Sequence, residues 1–125
     1  MILDTTTDKI QAVLGGAVAA NQVQCFSSWR DEGRTGIRKG KTAVNTNNAT
    51  DVNVVPTPAE SIQREVTFLS FYNADSGSVT LTVKHDDGTT ERILWKGTLA
   101  TAEFLSWTQG AGWQQFNATG TQIIA

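Results

Sequence analysis

Val66-Thr67-Phe68-Leu69-Ser70-Phe71-Tyr72 is the longest run of strand-forming residues in the chain. With a period of two, Val66, Phe68 and Tyr72 point one way, and Leu69 and Phe71 the other. Both faces are then substantially apolar, whereas a surface strand of an antiparallel sheet has one wet face. Leaving Leu69 and Phe71 in water would forfeit about 1.5–3 kcal/mol each. The stretch therefore demands cover on both sides, from a second layer of the same chain or from a neighbouring subunit.

The rest of the chain reads as short strands separated by turns. Val23 to Arg30 alternates Val23, Cys25 and Ser27 against Phe26, with Trp29 near its end, and Asp31-Glu32-Gly33-Arg34 reads as a turn. Thr35 to Thr46 is a basic, solvated strand or long hairpin, with Gly36 and Gly40 as bends. Asp51 to Val55 is a short strand ended by Pro56-Thr57-Pro58, an extended piece suited to a crossover between two sheets. Val79, Leu81 and Val83 alternate inward before the Asp86-Asp87-Gly88 turn. A three-residue loop there sets Leu81 against Ile93, Val79 against Trp95 and Thr82 against Arg92, with Gly88 left-handed in a bulge. A two-residue loop would oppose Val83 to Arg92 and Val79 to Lys96, so the three-residue register is preferred. Trp107 and Trp113 flank the Gln109–Gly112 turn and are placed to pair across it. Strands with turn signals every eight to twelve residues predict an all-β, antiparallel β-sandwich or jelly-roll-like single domain. Eighteen threonines favour the same class.

Residues 1–20 carry two readings. Ile10, Val13, Leu14, Ala17 and Val18 form a helical stripe behind Asp4-Thr5-Thr6-Thr7, but Gly15-Gly16 costs roughly 1 kcal/mol per glycine inside a helix. The other reading, a strand over Lys9–Leu14 followed by a Gly-Gly turn, is preferred. Either way the segment is apolar with little to fold upon locally. It is predicted to be an N-terminal arm, residues 1–20, ahead of a sandwich domain, 21–125. The arm would either fold back over its own long strand or, the preferred reading, cross to a neighbouring molecule.

Composition narrows the chemistry. At 125 residues, 39% hydrophobic and 18% charged, the chain suits one globular domain. A net charge of −2 argues against nucleic-acid binding by bulk electrostatics, and no aromatic residue lies between Trp29 and Phe68 to interleave with the basic group. Cys25 stands alone, in a strand-like run where a buried apolar role outweighs a catalytic one. His85-Asp86-Asp87 invites a metal or acid–base reading, but adjacent residues on a hairpin tip splay apart and no second histidine exists. Asp86 to Glu91 matches a calcium loop only loosely. No nucleophile-elbow or phosphate-loop motif occurs. The expectation is a non-enzyme without cofactor or metal. Met1-Ile2-Leu3-Asp4 lacks the pattern of a secretory signal, and Ile10–Ala20 is too short to span a bilayer, so no membrane role is expected. Asn48-Ala49-Thr50 and Asn117-Ala118-Thr119 match the glycosylation pattern only by chance on that reading. Arg34, Arg38, Lys39 and Lys41 form the one local charge bias, either a defended strand edge or a patch for an acidic partner. The four tryptophans fit core or hairpin packing better than an exposed sugar platform.

Three stretches resemble small virion proteins of tailed bacteriophages. They are Leu3 to Thr7 with Val13-Leu14-Gly15-Gly16-Ala17-Val18 and Asn21-Gln22, then Gln63 to Asp75, and finally Arg92-Ile93-Leu94, Leu99-Ala100, Phe104-Leu105 and Gly110-Ala111-Gly112-Trp113 before Asn117 and Gly120. The resemblance covers about two-thirds of the chain and leaves out Asp31 to Asn53, which carries the basic group. It implies a β-sandwich virion component, made in the host cytoplasm and assembled as a homo-oligomer with the major capsid protein or other virion proteins. A capsid decoration or cement protein is the leading expectation. A neck, tail or head-fibre component is the alternative, and a carbohydrate-binding module is the second alternative. The expected contact residues are Ile10, Val13 and Leu14 in the arm, Leu69 and Phe71 in the long strand, Trp29 and Trp107, and the basic Arg34, Arg38, Lys39 and Lys41.

Overall fold

The computed structural model describes residues 1–124, and it is an antiparallel β-sandwich without helices among those residues. The strands are β1 (Ile2–Leu3), β2 (Lys9–Leu14), β3 (Val23–Gly33), β4 (Gly36–Asn45), β5 (Val52–Val55), β6 (Gln63–Asn73), β7 (Val79–Asp86), β8 (Glu91–Leu99), β9 (Phe104–Thr108), β10 (Gly112–Phe116) and β11 (Gln122–Ile124). Seven form one sheet in the order β11-β10-β9-β6-β3-β4, with β1 also pairing to β6. The second sheet is β5-β2-β7-β8. Pro56-Thr57-Pro58 carries the chain from β5 in one sheet to β6 in the other, as the extended Pro-x-Pro segment predicts.

The long strand β6 carries one extra residue. Ser28 of β3 opposes Phe68, but the next residue, Trp29, opposes Val66, so Thr67 has no partner in the ladder. This bulge reverses the parity of the strand. Val66 therefore joins Leu69 and Phe71 on the inner face, all three fully buried, while Phe68 and Tyr72 turn outward. The Thr67 hydroxyl donates to the carbonyl of Ser28 at 3.1 Å and lies 3.0 Å from its hydroxyl, which pins the extra residue against β3.

The second sheet covers the inner face of β6. Its central strands contribute Ile10, Ala12 and Leu14 from β2 and Val79, Leu81 and Val83 from β7, all buried with Val23, Cys25, Val54, Val55, Leu99 and Leu105. The expectation of an N-terminal arm is thereby corrected. Lys9–Leu14 is a strand, as its alternation predicts, but it lies between β5 and β7 and pairs with both. Its partners lie far along the chain and were invisible to a local reading. Residues 15–22 are held just as firmly. The Asp75 carboxylate, itself buried, accepts backbone N–H groups of Ala19, Ala20 and Asn21 at 2.7–3.0 Å, and Asn48 accepts from the Val18 N–H at 3.1 Å. The N–H groups of Asn21 and Ala19 lead in drawing the Asp75 pKa down to about 2.

A buried cation ties the first sheet to the crossover. Arg64 makes a two-pronged contact with Asp31, Nε to Oδ1 at 2.8 Å and Nη2 to Oδ2 at 3.0 Å. Its Nη1 donates to the Pro56 carbonyl at 2.8 Å, and its guanidinium carbon lies 4.4 Å from the centre of the Trp29 ring. The ring fits only because residue 40, opposite Trp29 on β4, is glycine: a Cβ there would lie 2.6 Å from the indole nitrogen. Gly40 is thus a packing position rather than the bend its type suggests. The β3–β4 hairpin also turns later than the Asp31–Arg34 stretch implies, with Gly33 opposite Gly36 and Gly36 at φ +123°.

The β7–β8 register differs from both sequence readings. Val83 opposes Trp95 and Lys84 opposes Ile93, so Leu94 is an extra residue, and the loop spans Asp87 to Thr90 between Asp86 and Glu91. Gly88 is left-handed at φ +92°, as expected. Because of the bulge, Ile93 points outward and is 63% exposed instead of covering the core. Trp107 and Trp113 do oppose each other across the β9–β10 hairpin.

Truncating Leu69 or Phe71 to alanine should cost about 2–5 kcal/mol in urea unfolding, against less than ~1 kcal/mol for Tyr72→Ala. Equal losses at Phe71 and Tyr72 would contradict the bulged parity. Deleting residues 1–20 removes a central strand and should abolish cooperative unfolding. The Asp75 pKa is lowered, so its contribution to stability is complete above the ordinary carboxylate pKa of about 4 and is lost as pH falls through about 2. Asp75→Asn should lower stability at neutral pH and flatten the acid limb of a stability–pH curve in that window.

Candidate interaction face

The two outer faces of the sandwich differ in chemistry. On the four-stranded sheet the exposed side of β2 and β7 is charged and internally paired. Lys9 meets Asp86 at 3.4 Å, and Lys84 meets both Asp51, at 2.9 Å, and Glu91. Gln11 donates to Asn53 at 2.9 Å between them. The cations of β2 and β7 are thus matched, while β8 adds an exposed Ile93 and a Lys96 unpaired among the described residues to the same face.

The outer face of the seven-stranded sheet carries a band of aromatic rings. The register places Phe116, Phe104, Tyr72 and Gln24 in one row across β10, β9, β6 and β3. The next row along is Gln114, Ser106, Ser70, Phe26 and Ala43, and the one after it is Gly112, Thr108, Phe68, Ser28 and Lys41. Five aromatic side chains thus cross the sheet diagonally. Phe104 and Phe116 stack with centroids 4.7 Å apart at 14°, and Phe26 and Phe68 tilt together at 6.3 Å. Phe26 is 36% and Tyr72 38% exposed, with the other three half-buried by their neighbours. Serines, threonines and glutamines surround the rings. At the β4 side the face ends in Lys39 and Lys41, beside Arg30, which pairs with Glu32 at 2.9 Å and Glu65 at 3.7 Å.

The predicted contact residues divide sharply. Ile10, Leu14, Leu69 and Phe71 are core residues of the folded chain and are corrected as contact residues, because the two sheets bury them against each other. Trp29 is likewise buried, beneath Arg64. Val13 is half-buried on the charged face, and Trp107 is half-buried against the edge of the core. Arg34, Arg38, Lys39 and Lys41 are all exposed, together on the β3–β4 hairpin and the edge strand β4. Phe26, Phe68, Tyr72, Phe104 and Phe116 were not singled out. The available signal was an aromatic next to a second apolar residue, as in Cys25-Phe26, Phe68-Leu69 and Phe104-Leu105, which marks strands apolar on both faces.

The remaining tryptophans are committed to packing. Trp113 lies 6.4 Å from Phe71 and 6.3 Å from Trp95, which itself folds over Gly97. Of the polar groups weighed for chemistry, Asp86 accepts the Gly88 N–H at 2.7 Å, and Asp87 accepts those of Thr89 and Thr90 at 2.9 and 2.7 Å. His85 meets Asp8 at 3.1 Å. Burial works to raise the Asp8 pKa, but the N–H groups of Asp4 and Thr5 outweigh it and the pKa falls. Burial pushes the Cys25 thiol up to about 12, so it stays protonated at neutral pH.

Compared with family models, with curated proteins and with solved structures, the chain finds no significant match.

Replacing Phe68, Tyr72 and Phe104 together by serine should lower the unfolding midpoint but leave a cooperatively folded domain, while sharply reducing binding of an environment-sensitive hydrophobic dye. Dye binding that survives the triple substitution would place the accessible apolar surface elsewhere.

Proposed function

We propose that the protein is a structural component of a tailed-bacteriophage virion, a capsid decoration protein. It docks the aromatic outer face of its seven-stranded sheet across neighbouring shell subunits. The observation that carries this reading is the contrast between the two outer faces. A sandwich that ends in water on both sides has no use for five aromatic rings in one diagonal band, whereas a subunit that buries one face against a partner does. The opposite face, where Lys9 and Lys84 are already matched, is suited to the particle's exterior. The sequence resemblance to small phage virion proteins supplies the setting. Homo-oligomers around the shell's symmetry axes would let several copies grip adjacent capsid subunits at once.

A neck, tail or head-fibre position is the alternative reading, and copy number separates the two. Decoration requires copies in proportion to the shell subunits, whereas a ring or fibre requires roughly a dozen or fewer. The carbohydrate-module reading, which rests on Trp107 and Trp113, has less to support it, since Trp113 packs against Trp95 and Phe71 and Trp107 is half-buried.

Particles lacking the protein should release DNA at a lower temperature than complete ones. Adding purified protein should restore their resistance, and the Phe68, Tyr72 and Phe104 triple serine variant should fail to bind. Equal thermal resistance with and without the protein would sink the cementing role.

A further inference from the structure

We propose that the open edge of β4 is a second docking site, one that takes an extended acidic peptide segment by strand addition. β4 is the terminal strand of the seven-stranded sheet and runs ten residues, Gly36–Asn45. The Thr46 N–H donates to the Val23 carbonyl at 2.9 Å, which fixes the alternation of the β3–β4 ladder. By that alternation Arg38, Gly40, Thr42 and Val44 bond to β3. The N–H and C=O groups of Ile37, Lys39, Lys41 and Ala43 point to the open side. Among the described residues no hydrogen bond from outside the β3–β4 ladder reaches residues 37–43.

The charges on this edge say what fits there. Lys9, Arg30, Arg64, Lys84 and Arg92 each have a carboxylate within 4.0 Å. Arg34, Arg38, Lys39 and Lys41 have none among the described residues, nor does the isolated Lys96 of β8, although the whole chain carries a net charge of −2. Three unmatched cations on β4, with Arg34 in the adjoining turn, repel a second copy of the same strand, which disfavours self-addition. They attract a strand with carboxylates opposite Lys39 and Lys41. Flanking them, Ile37 and Ala43 on the same face offer apolar contact to alternate residues. The backbone supplies a ladder of hydrogen bonds and the lysines select the sign. This site is separate from the aromatic face and does not depend on the virion reading.

The test uses the full chain and a short end-blocked peptide of alternating glutamate and valine. Saturable binding is expected, weakening as salt rises. The amides of Lys39, Lys41 and Ala43 should exchange more slowly in the complex, while those of β8 should not change. The double variant K39E/K41E, with an unchanged unfolding midpoint, should bind at least about tenfold more weakly. Several results would overturn the proposal: no saturable binding, equal binding of a lysine–valine peptide, binding without slowed exchange at those three amides, or tighter binding of a single-stranded oligonucleotide. None of these results bears on whether the aromatic face holds a particle.

Discussion

One unpaired residue, Thr67, divides this molecule into inside and outside. Without it, the parity of β6 would put Val66 on the same side as Phe68 and Tyr72, opposite Leu69 and Phe71. With it, Val66, Leu69 and Phe71 all enter the core. A strand carrying five large apolar side chains cannot hide them all against a single layer, and each one left in water forgoes about 1.5–3 kcal/mol. The bulge sends the three that pack well against β2 and β7 inward. It leaves Phe68 and Tyr72 as the central part of an aromatic band completed by Phe26, Phe104 and Phe116. The exposed face is thus a by-product of the rule that builds the core.

A second constraint acts at the other end of β6. Burying a guanidinium is tolerable only if its donors are satisfied, and removing one partner of such a pair typically costs about 3–5 kcal/mol. Arg64 meets that condition with Asp31, the Pro56 carbonyl and the Trp29 ring, joining β6, β3 and the crossover at one point. Lys84 and Lys9 are neutralised in the same local way on the polar face. Against this background the unmatched cations of β4 stand out, since the neighbouring Asp31 and Glu32 of β3 are engaged by Arg64 and Arg30 instead. Matched charges serve the fold, and unmatched ones at an edge are available to a partner.

Most strands were legible because alternation and turn chemistry are local. Lys9–Leu14, the Pro56–Pro58 crossover, the left-handed Gly88 and the Trp107–Trp113 pairing all follow from residues within a few positions of one another. The failures share a cause. Bulges at Thr67 and Leu94 shift parity by one, and neither residue type announces a bulge in sequence. The first shift hid the aromatic face, and the second sent Ile93 outward when Leu81 was expected to meet it. The arm was misjudged for a different reason. A segment with no local partner looks detached, yet β5 and β7, some forty and seventy residues on, enclose it.

By itself the sequence determined the class: an all-β domain of short antiparallel strands, one of them apolar on both sides, with four basic residues, Arg34, Arg38, Lys39 and Lys41, gathered in one stretch. Those features depend on side-chain type and a period of two, which any strand imposes. Only the tertiary structure decided which apolar residues became core and which became surface. It also decided that the first twenty residues complete the second sheet, and that the basic strand lies at an open edge. Each of these depends on pairing between residues distant in sequence, and a single extra residue in a ladder reverses the side on which every later residue emerges.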